Sequence, residues 1–188
     1  MNNQLEEFIK IYPSLNNEFC KKIITELKDA KWQQHFFYNP YLSINHNVSG
    51  NKELDISYSD IPSKEELKKK IWETIGKYIS DLNKPYYNSW SGFTNIRFNK
   101  YKESRLMALH CDHISDIFDG ERKGIPTLTV LGLLNDDFDG GEFLMFDDEK
   151  QINLNMGDIM IFPSVFLYPH KVTPVIKGTR NTFVAWVW

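Results

Sequence analysis

A chain of 188 residues with 41 % hydrophobic and 14 % aromatic side chains can bury one substantial core and is too apolar to rest disordered. Its formal net charge of -3 at pH 7 excludes a nucleic-acid binder that works by neutralising phosphates, and no apolar run reaches membrane-spanning length. The opening MNNQLEEFIK lacks the basic and apolar regions of a signal peptide, so a cytoplasmic protein with Cys20 and Cys111 reduced is expected. On that reading Asn47-Val48-Ser49 is a chance match to a glycosylation acceptor.

Residues 1–89 read as a helical support. Asn16 can cap a helix that carries Phe19, Ile23, Ile24 and Leu27 on one face. Ser63 and Glu66 have capping-box spacing and open a second helix with Leu67, Ile71, Ile75, Ile79 and Leu82, ending before Pro85. Between the helices, residues 35–60 are polar, aromatic and irregular; His35 and His46 have no partners at ligand spacing and read as ordinary polar residues.

From Trp90 the texture changes to short aromatic and β-branched runs between turn signals, the pattern of a β-sandwich or barrel. Strands are expected near 93–101, 106–112, 127–134, 142–147, 157–162 and 180–188. Asn95, Arg97, Asn99 and Tyr101 make one face of the first polar, as suits either solvent or a substrate. Residues 113–126 are long enough for a lid, and Asp139-Gly140-Gly141 reads as a hairpin turn. The acidic run 135–140 mimics the start of a calcium loop, but Phe146 stands where the twelfth-position glutamate belongs. The terminal strand is apolar on both faces, so it needs cover on both sides, and the N-terminal helices are the simplest outer cover.

His110-Cys111-Asp112 puts imidazole and carboxylate on the same face of a strand, with Cys111 and the following His113 pointing away. With His170, two histidines and one carboxylate form a facial metal set that leaves coordination positions open. Arg180 opens the terminal strand and shares a face with Thr182, Val184 and Trp186. If that face is interior, the guanidinium needs a carboxylate, and a dicarboxylate ligand is a suitable one. A cupin-like or zinc enzyme would keep His110 and His170 without needing Arg180. A non-catalytic jelly-roll binding module would need none of them.

The ordered set Tyr101, His110-x-Asp112, Asp139-Gly140-Gly141-Glu142-Phe143, Gly157 to Pro163, His170 and Arg180 resembles the prolyl-4-hydroxylase-like 2-oxoglutarate/Fe(II) dioxygenases, in particular their small bacterial and phage members. The resemblance implies a mainly β, double-stranded β-helix (jelly-roll) catalytic core over 90–188. It sits in a single domain, 1–188, whose helices pack on the outer face of one sheet. It implies His110, Asp112 and His170 as iron(II) ligands and Arg180 as anchor of the distal carboxylate of 2-oxoglutarate. Tyr101, Thr129 and Trp186 are then further cosubstrate-pocket residues, dioxygen the second cosubstrate and ascorbate an optional auxiliary. The implied reaction is hydroxylation of a C–H bond with release of succinate and carbon dioxide. A prolyl peptide is the first expected substrate and a free amino acid or other small molecule the second; nothing in the sequence specifies an oligomeric state. The chain departs from collagen-type members at Ser104-Arg105, where they carry Gly-Gln, at Phe143 and at Arg180, where they carry lysine.

Overall fold

The computed structural model describes residues 3–39, 44–46, 48–112 and 126–188. In chain order its elements are α1 (Asn3–Glu6), β1 (Lys10–Pro13), α2 (Asn17–Glu26), β2 (Gln33–Gln34), β3 (Phe37–Asn39), β4 (Ile44–His46), β5 (Asp55–Ser57) and α3 (Lys64–Leu82). There follow β6 (Arg97–Tyr101), β7 (Met107–His110), β8 (Leu128–Leu133), β9 (Asp139–Gly140), β10 (Phe143–Met145) and β11 (Lys150–Ile152). The chain ends with β12 (Asp158–Pro163), β13 (His170–Val172), β14 (Val175–Lys177) and β15 (Arg180–Val187).

Two antiparallel sheets carry the architecture. The larger runs β1-β12-β8-β15-β6-β5-β2 and the smaller β11-β10-β13-β7. The terminal strand β15 lies inside its sheet, paired with β8 and β6, and both its faces are covered, which explains why its residues are apolar on both. One face carries Phe183, Ala185 and Val187; with Phe98, Val130 and Ile161 it forms a core with Phe19 and Ile23 of α2 and Leu67, Ile71 and Ile75 of α3. The helices therefore cover the outer face of the larger sheet, as expected. The opposite face meets the smaller sheet: Leu131, Met160 and Phe162 pack with Met107, Phe143, Met145 and Val172. No helix among the described residues is long and apolar enough to cross a membrane.

Several local expectations are corrected. The region 1–89 is not wholly helical, because β1, β2 and β5 extend the larger sheet. These strands are two to four residues long, too short for a period to register. Asn16 caps α2 by accepting from the Phe19 amide at 2.8 Å. Ser63, however, makes no cap bond to α3. Its hydroxyl donates to Glu26 Oε1 at 2.8 Å and its amide to Glu26 Oε2 at 2.9 Å, so it ties α3 to α2. Asp139-Gly140-Gly141 is no hairpin, since β8 and β10 lie in different sheets. The segment crosses between the sheets, and Asp139–Gly140 pairs with β14. The positive φ of Gly140 and Gly141, 76° and 66°, serves that crossing.

Candidate active site

His110 closes β7 and His170 opens β13, and the two are direct partners in the antiparallel ladder. Opposite residues in such a pair project from the same face about 5 Å apart, which brings two imidazoles together from distant parts of the chain. Asp112 does not continue the strand as the sequence pattern implied. β7 ends at His110, and Asp112 lies in the bend beyond it. Its side chain still converges: Oδ1 is 3.4 Å from His110 Nε2 and 3.8 Å from His170 Nε2. The three ligand atoms lie within 4.8 Å of one another. Neighbouring ligands of an octahedral ion sit about 3 Å apart, so small side-chain adjustments close this set on a metal.

The backbone prepares both imidazoles. His110 Nδ1 lies 2.8 Å from the Ala108 carbonyl oxygen and His170 Nδ1 lies 3.0 Å from that of Tyr168. A carbonyl only accepts, so each Nδ1 carries the proton and each Nε2 lone pair faces the cluster. Burial, reinforced by the neighbouring His110, lowers the His170 pKa to about 4, so its lone pair is free at neutral pH. Burial disfavours the Asp112 charge, but the two imidazoles and the Thr129 hydroxyl outweigh it and hold the carboxyl well below the usual range. Thr129 Oγ1 donates to Asp112 Oδ2 at 2.6 Å and lies 2.9 Å from Ser164 Oγ. Phe143 stacks on His170 with ring centres 5.2 Å apart and Phe162 meets it edge-on, so apolar rings confine that imidazole.

Arg180 is 2 % exposed on the inner face of β15, opposite Tyr101 of β6. Its guanidinium lies 5.2 Å from the Tyr101 ring centre and 6.0 Å from that of Phe138. Its Nη1 is buried with no hydrogen-bond partner, and burial lowers its pKa while Tyr101 opposes that shift. Among the described residues no carboxylate comes within ion-pair distance of it. A buried, unpaired guanidinium is costly unless an anion completes it, and the bidentate fork suits a carboxylate. The position opposite Gly141, where an added Cβ would come within 3.0 Å of Arg180 Cδ, leaves the arginine stem its room.

The structure thus brings His110, Asp112, His170 and Thr129 into one cluster and sets Arg180 and Tyr101 together farther along the same inner face. Trp186 shares that face opposite Thr129. The Thr129 hydroxyl donates to the Asp112 carboxylate, a contact the sequence did not announce; the family resemblance placed Thr129 at the cosubstrate. Asn99, Arg97 and Tyr101 prove to be interior; alternation showed one polar face on β6 but not which way it looked. His35 is no ordinary polar residue: it is 8 % exposed, 3.8 Å from the buried Glu53, and edge-on to Phe37, whose ring flanks His110. Phe143 and Phe162 were not read as site residues, and an apolar residue on a core-facing strand gives no signal that separates ligand wall from core. Of the expected lid, residues 113–125 lie outside the described residues.

Residues 96–188 match the family model of the 2OG-Fe(II) oxygenase superfamily. A PKHD-type hydroxylase of Idiomarina loihiensis is 34 % identical over 94 residues, covering 49 % of this chain and 41 % of that protein. A PKHD-type hydroxylase of Paracoccus denitrificans is 30 % identical over 135 residues, covering 68 % of this chain and 56 % of its own length. The chain therefore spans about half the length of the curated relatives it matches. Among solved structures, a prolyl hydroxylase from Trichoplax adhaerens, in complex with a hypoxia inducible factor oxygen degradation domain peptide fragment, superposes with a TM-score of 0.71 at 19 % identity. It covers 99 % of this chain and 86 % of the other. The viral collagen prolyl hydroxylase of Paramecium Bursaria Chlorella virus-1 gives a TM-score of 0.64 at 15 % identity, over 96 % and 94 % of the two chains. These likenesses establish the fold as the double-stranded β-helix of 2OG-Fe(II) oxygenases. Oxygenases of that superfamily use iron(II), 2-oxoglutarate and dioxygen, and the residues fit them: a two-histidine, one-carboxylate set with its lone pairs free, and a buried guanidinium lacking an anion. The segment 96–188, which contains every one of these residues, is that of the 2OG-Fe(II) oxygenase superfamily.

Proposed function

We propose that the protein is an iron(II)- and 2-oxoglutarate-dependent hydroxylase, with His110, Asp112 and His170 as metal ligands and Arg180 and Tyr101 as the seat of the cosubstrate's distal carboxylate. The observation that carries this reading is the unpaired, buried Nη1 of Arg180 on the strand face that also lies beneath the ligand cluster. When bound, iron(II) with 2-oxoglutarate and dioxygen supplies oxidative decarboxylation to succinate and carbon dioxide coupled to hydroxylation of a C–H bond. The chain's part is positional. The Ala108 and Tyr168 carbonyls fix the imidazole tautomers, and Thr129 holds the Asp112 oxygen that faces away from the histidines. Phe143 and Phe162 keep water from the flank of His170. Arg180 and Tyr101 set the cosubstrate's orientation by gripping the end remote from the reaction.

A prolyl residue in a peptide is the first substrate to test, supported by the peptide in the Trichoplax complex and by the collagen hydroxylase likeness. Ascorbate as an optional reductant and a cytoplasmic location belong to the same proposal, the latter supported by two free cysteines. The test is anaerobic addition of iron(II) and 2-oxoglutarate: a weak visible charge-transfer band is expected, absent in His170→Ala. Failure of the wild-type protein to give that band contradicts the reading.

A further inference from the structure

A second arginine lies on the inner face, and the cosubstrate does not account for it. Arg97 is 8 % exposed on β6 opposite Val184, whereas Arg180 stands opposite Tyr101. Four residues along one strand separate those levels by about 13 Å. The two cations therefore mark different ends of the pocket. Arg97 is at the metal end: its guanidinium lies 4.9 Å over the Trp186 ring, Trp186 pairs with Thr129, and Thr129 bonds Asp112. Its charge is also among the fields that disfavour a proton on His170.

Arg97 is held in place without being neutralised. Its Nε donates to Asn99 Oδ1 at 3.0 Å, and Asn99 in turn donates to Thr182 at 3.3 Å. Stacking on Trp186 fixes the plane of the fork. Among the described residues no carboxylate comes within ion-pair distance. The nearby buried Glu53 is directed to Ser49, to the Ala108 amide and to His35 instead. Iron(II), the Asp112 carboxylate, a doubly charged 2-oxoglutarate and Arg180 balance one another; of the remaining buried charges, Arg97 and Glu53 make no ion pair with each other among the described residues, so the Arg97 fork has no anionic partner of its own. A buried cation pre-oriented at a site without its own anion is how proteins select an anionic ligand.

We propose, resting on the oxygenase reading above, that Arg97 binds a carboxylate of the substrate and so makes the protein a hydroxylase of carboxylate-bearing molecules. The carboxylate can be that of a free amino acid or an acidic side chain beside the target residue of a peptide. The protein loaded with iron(II) and 2-oxoglutarate under nitrogen is titrated by calorimetry with probes in matched pairs. One series sets free L-amino acids against their primary amides; the other sets end-blocked proline peptides carrying Asp or Glu against those carrying Asn or Gln. At least one acid is expected to bind tenfold or more tightly than its neutral partner, with a matching gain in succinate formation once oxygen is admitted. Arg97→Met should abolish that preference while the charge-transfer band stays, and Arg97→Lys should restore part of it. Preference in the first series assigns a small molecule, in the second an acidic peptide; either supports the proposal. No acid preference in the wild-type protein, or a preference that survives Arg97→Met, overturns it. A wild-type protein without the band instead overturns the oxygenase reading.

Discussion

Thr129 holds Asp112 Oδ2 at 2.6 Å, and Asp112 Oδ1 faces the two histidines at 3.4 and 3.8 Å. One carboxylate oxygen is thereby fixed by the protein and the other left facing the imidazoles, where the proposed metal would sit. Hydrogen-bonded supports of this kind are worth about 10–100-fold in metal affinity. Thr129→Val should weaken iron(II) binding by that order, read by competition with a chromophoric chelator, and Thr129→Ser should retain it. Equal affinity in all three proteins contradicts the role.

His110→Ala, Asp112→Ala and His170→Ala should each remove most iron(II) binding, because three ligands leave no redundancy. Circular dichroism should show the β signal unchanged in at least the His110 variant, whose ring is the most exposed of the three at 14 %. Full metal occupancy in any of the three contradicts its assignment as a ligand.

Arg180→Gln should leave iron(II) binding nearly intact and raise the 2-oxoglutarate dissociation constant thirtyfold or more, since losing a desolvated charge-assisted pair costs about 2–5 kcal/mol. Arg180→Lys should recover part of it. Calorimetry under nitrogen gives both numbers.

Acid should destabilise the metal-free protein in a defined window. The folded His170 pKa of about 4 lies below the ordinary value of 6.5, so the unfolded chain binds the extra proton between those values. Stability is then fully present above pH 6.5 and falls as the pH drops toward 4, by up to about 3 kcal/mol. Urea midpoints of chelator-treated protein at pH 7 and 4.5 measure this. The His170→Phe variant should lose less stability than the wild type over the same range.

Gly132 pairs with Phe183 across β8 and β15, and a Cβ at Gly132 would fall 2.1 Å from the phenylalanine ring. The ring lies flat across the glycine under the helical layer. Gly132→Ala should cost about 1–3 kcal/mol through overpacking, visible as a lower thermal midpoint. The pair Gly132→Ala with Phe183→Leu should recover part of that loss.

The His110-x-Asp112 pair and the long strands were legible because their signals are local. His110-x-Asp112 and the doubly apolar run 180–188 each say something without knowledge of the partner strand. What escaped is set by pairing. β13 is three residues long and carries His170, yet only its position opposite His110 makes it part of a site. Ser63 matched a capping box by spacing, but Glu26 on a neighbouring helix competed for its hydroxyl and won. Arg97 showed an alternation of period two, which fixes a face and leaves open whether it meets water or the opposite sheet.

The ladder pairing of His110 with His170 also bears on how the protein assembles. β8 to β12 lie between those two residues in the chain, so their pairing closes a loop that spans most of the catalytic core. An ion gripped by both is a clasp across a long chain loop, and it binds the folded form alone. Iron(II) should therefore slow unfolding far more than it speeds folding, and a chain emptied of metal should open first along the seam between β7 and β13.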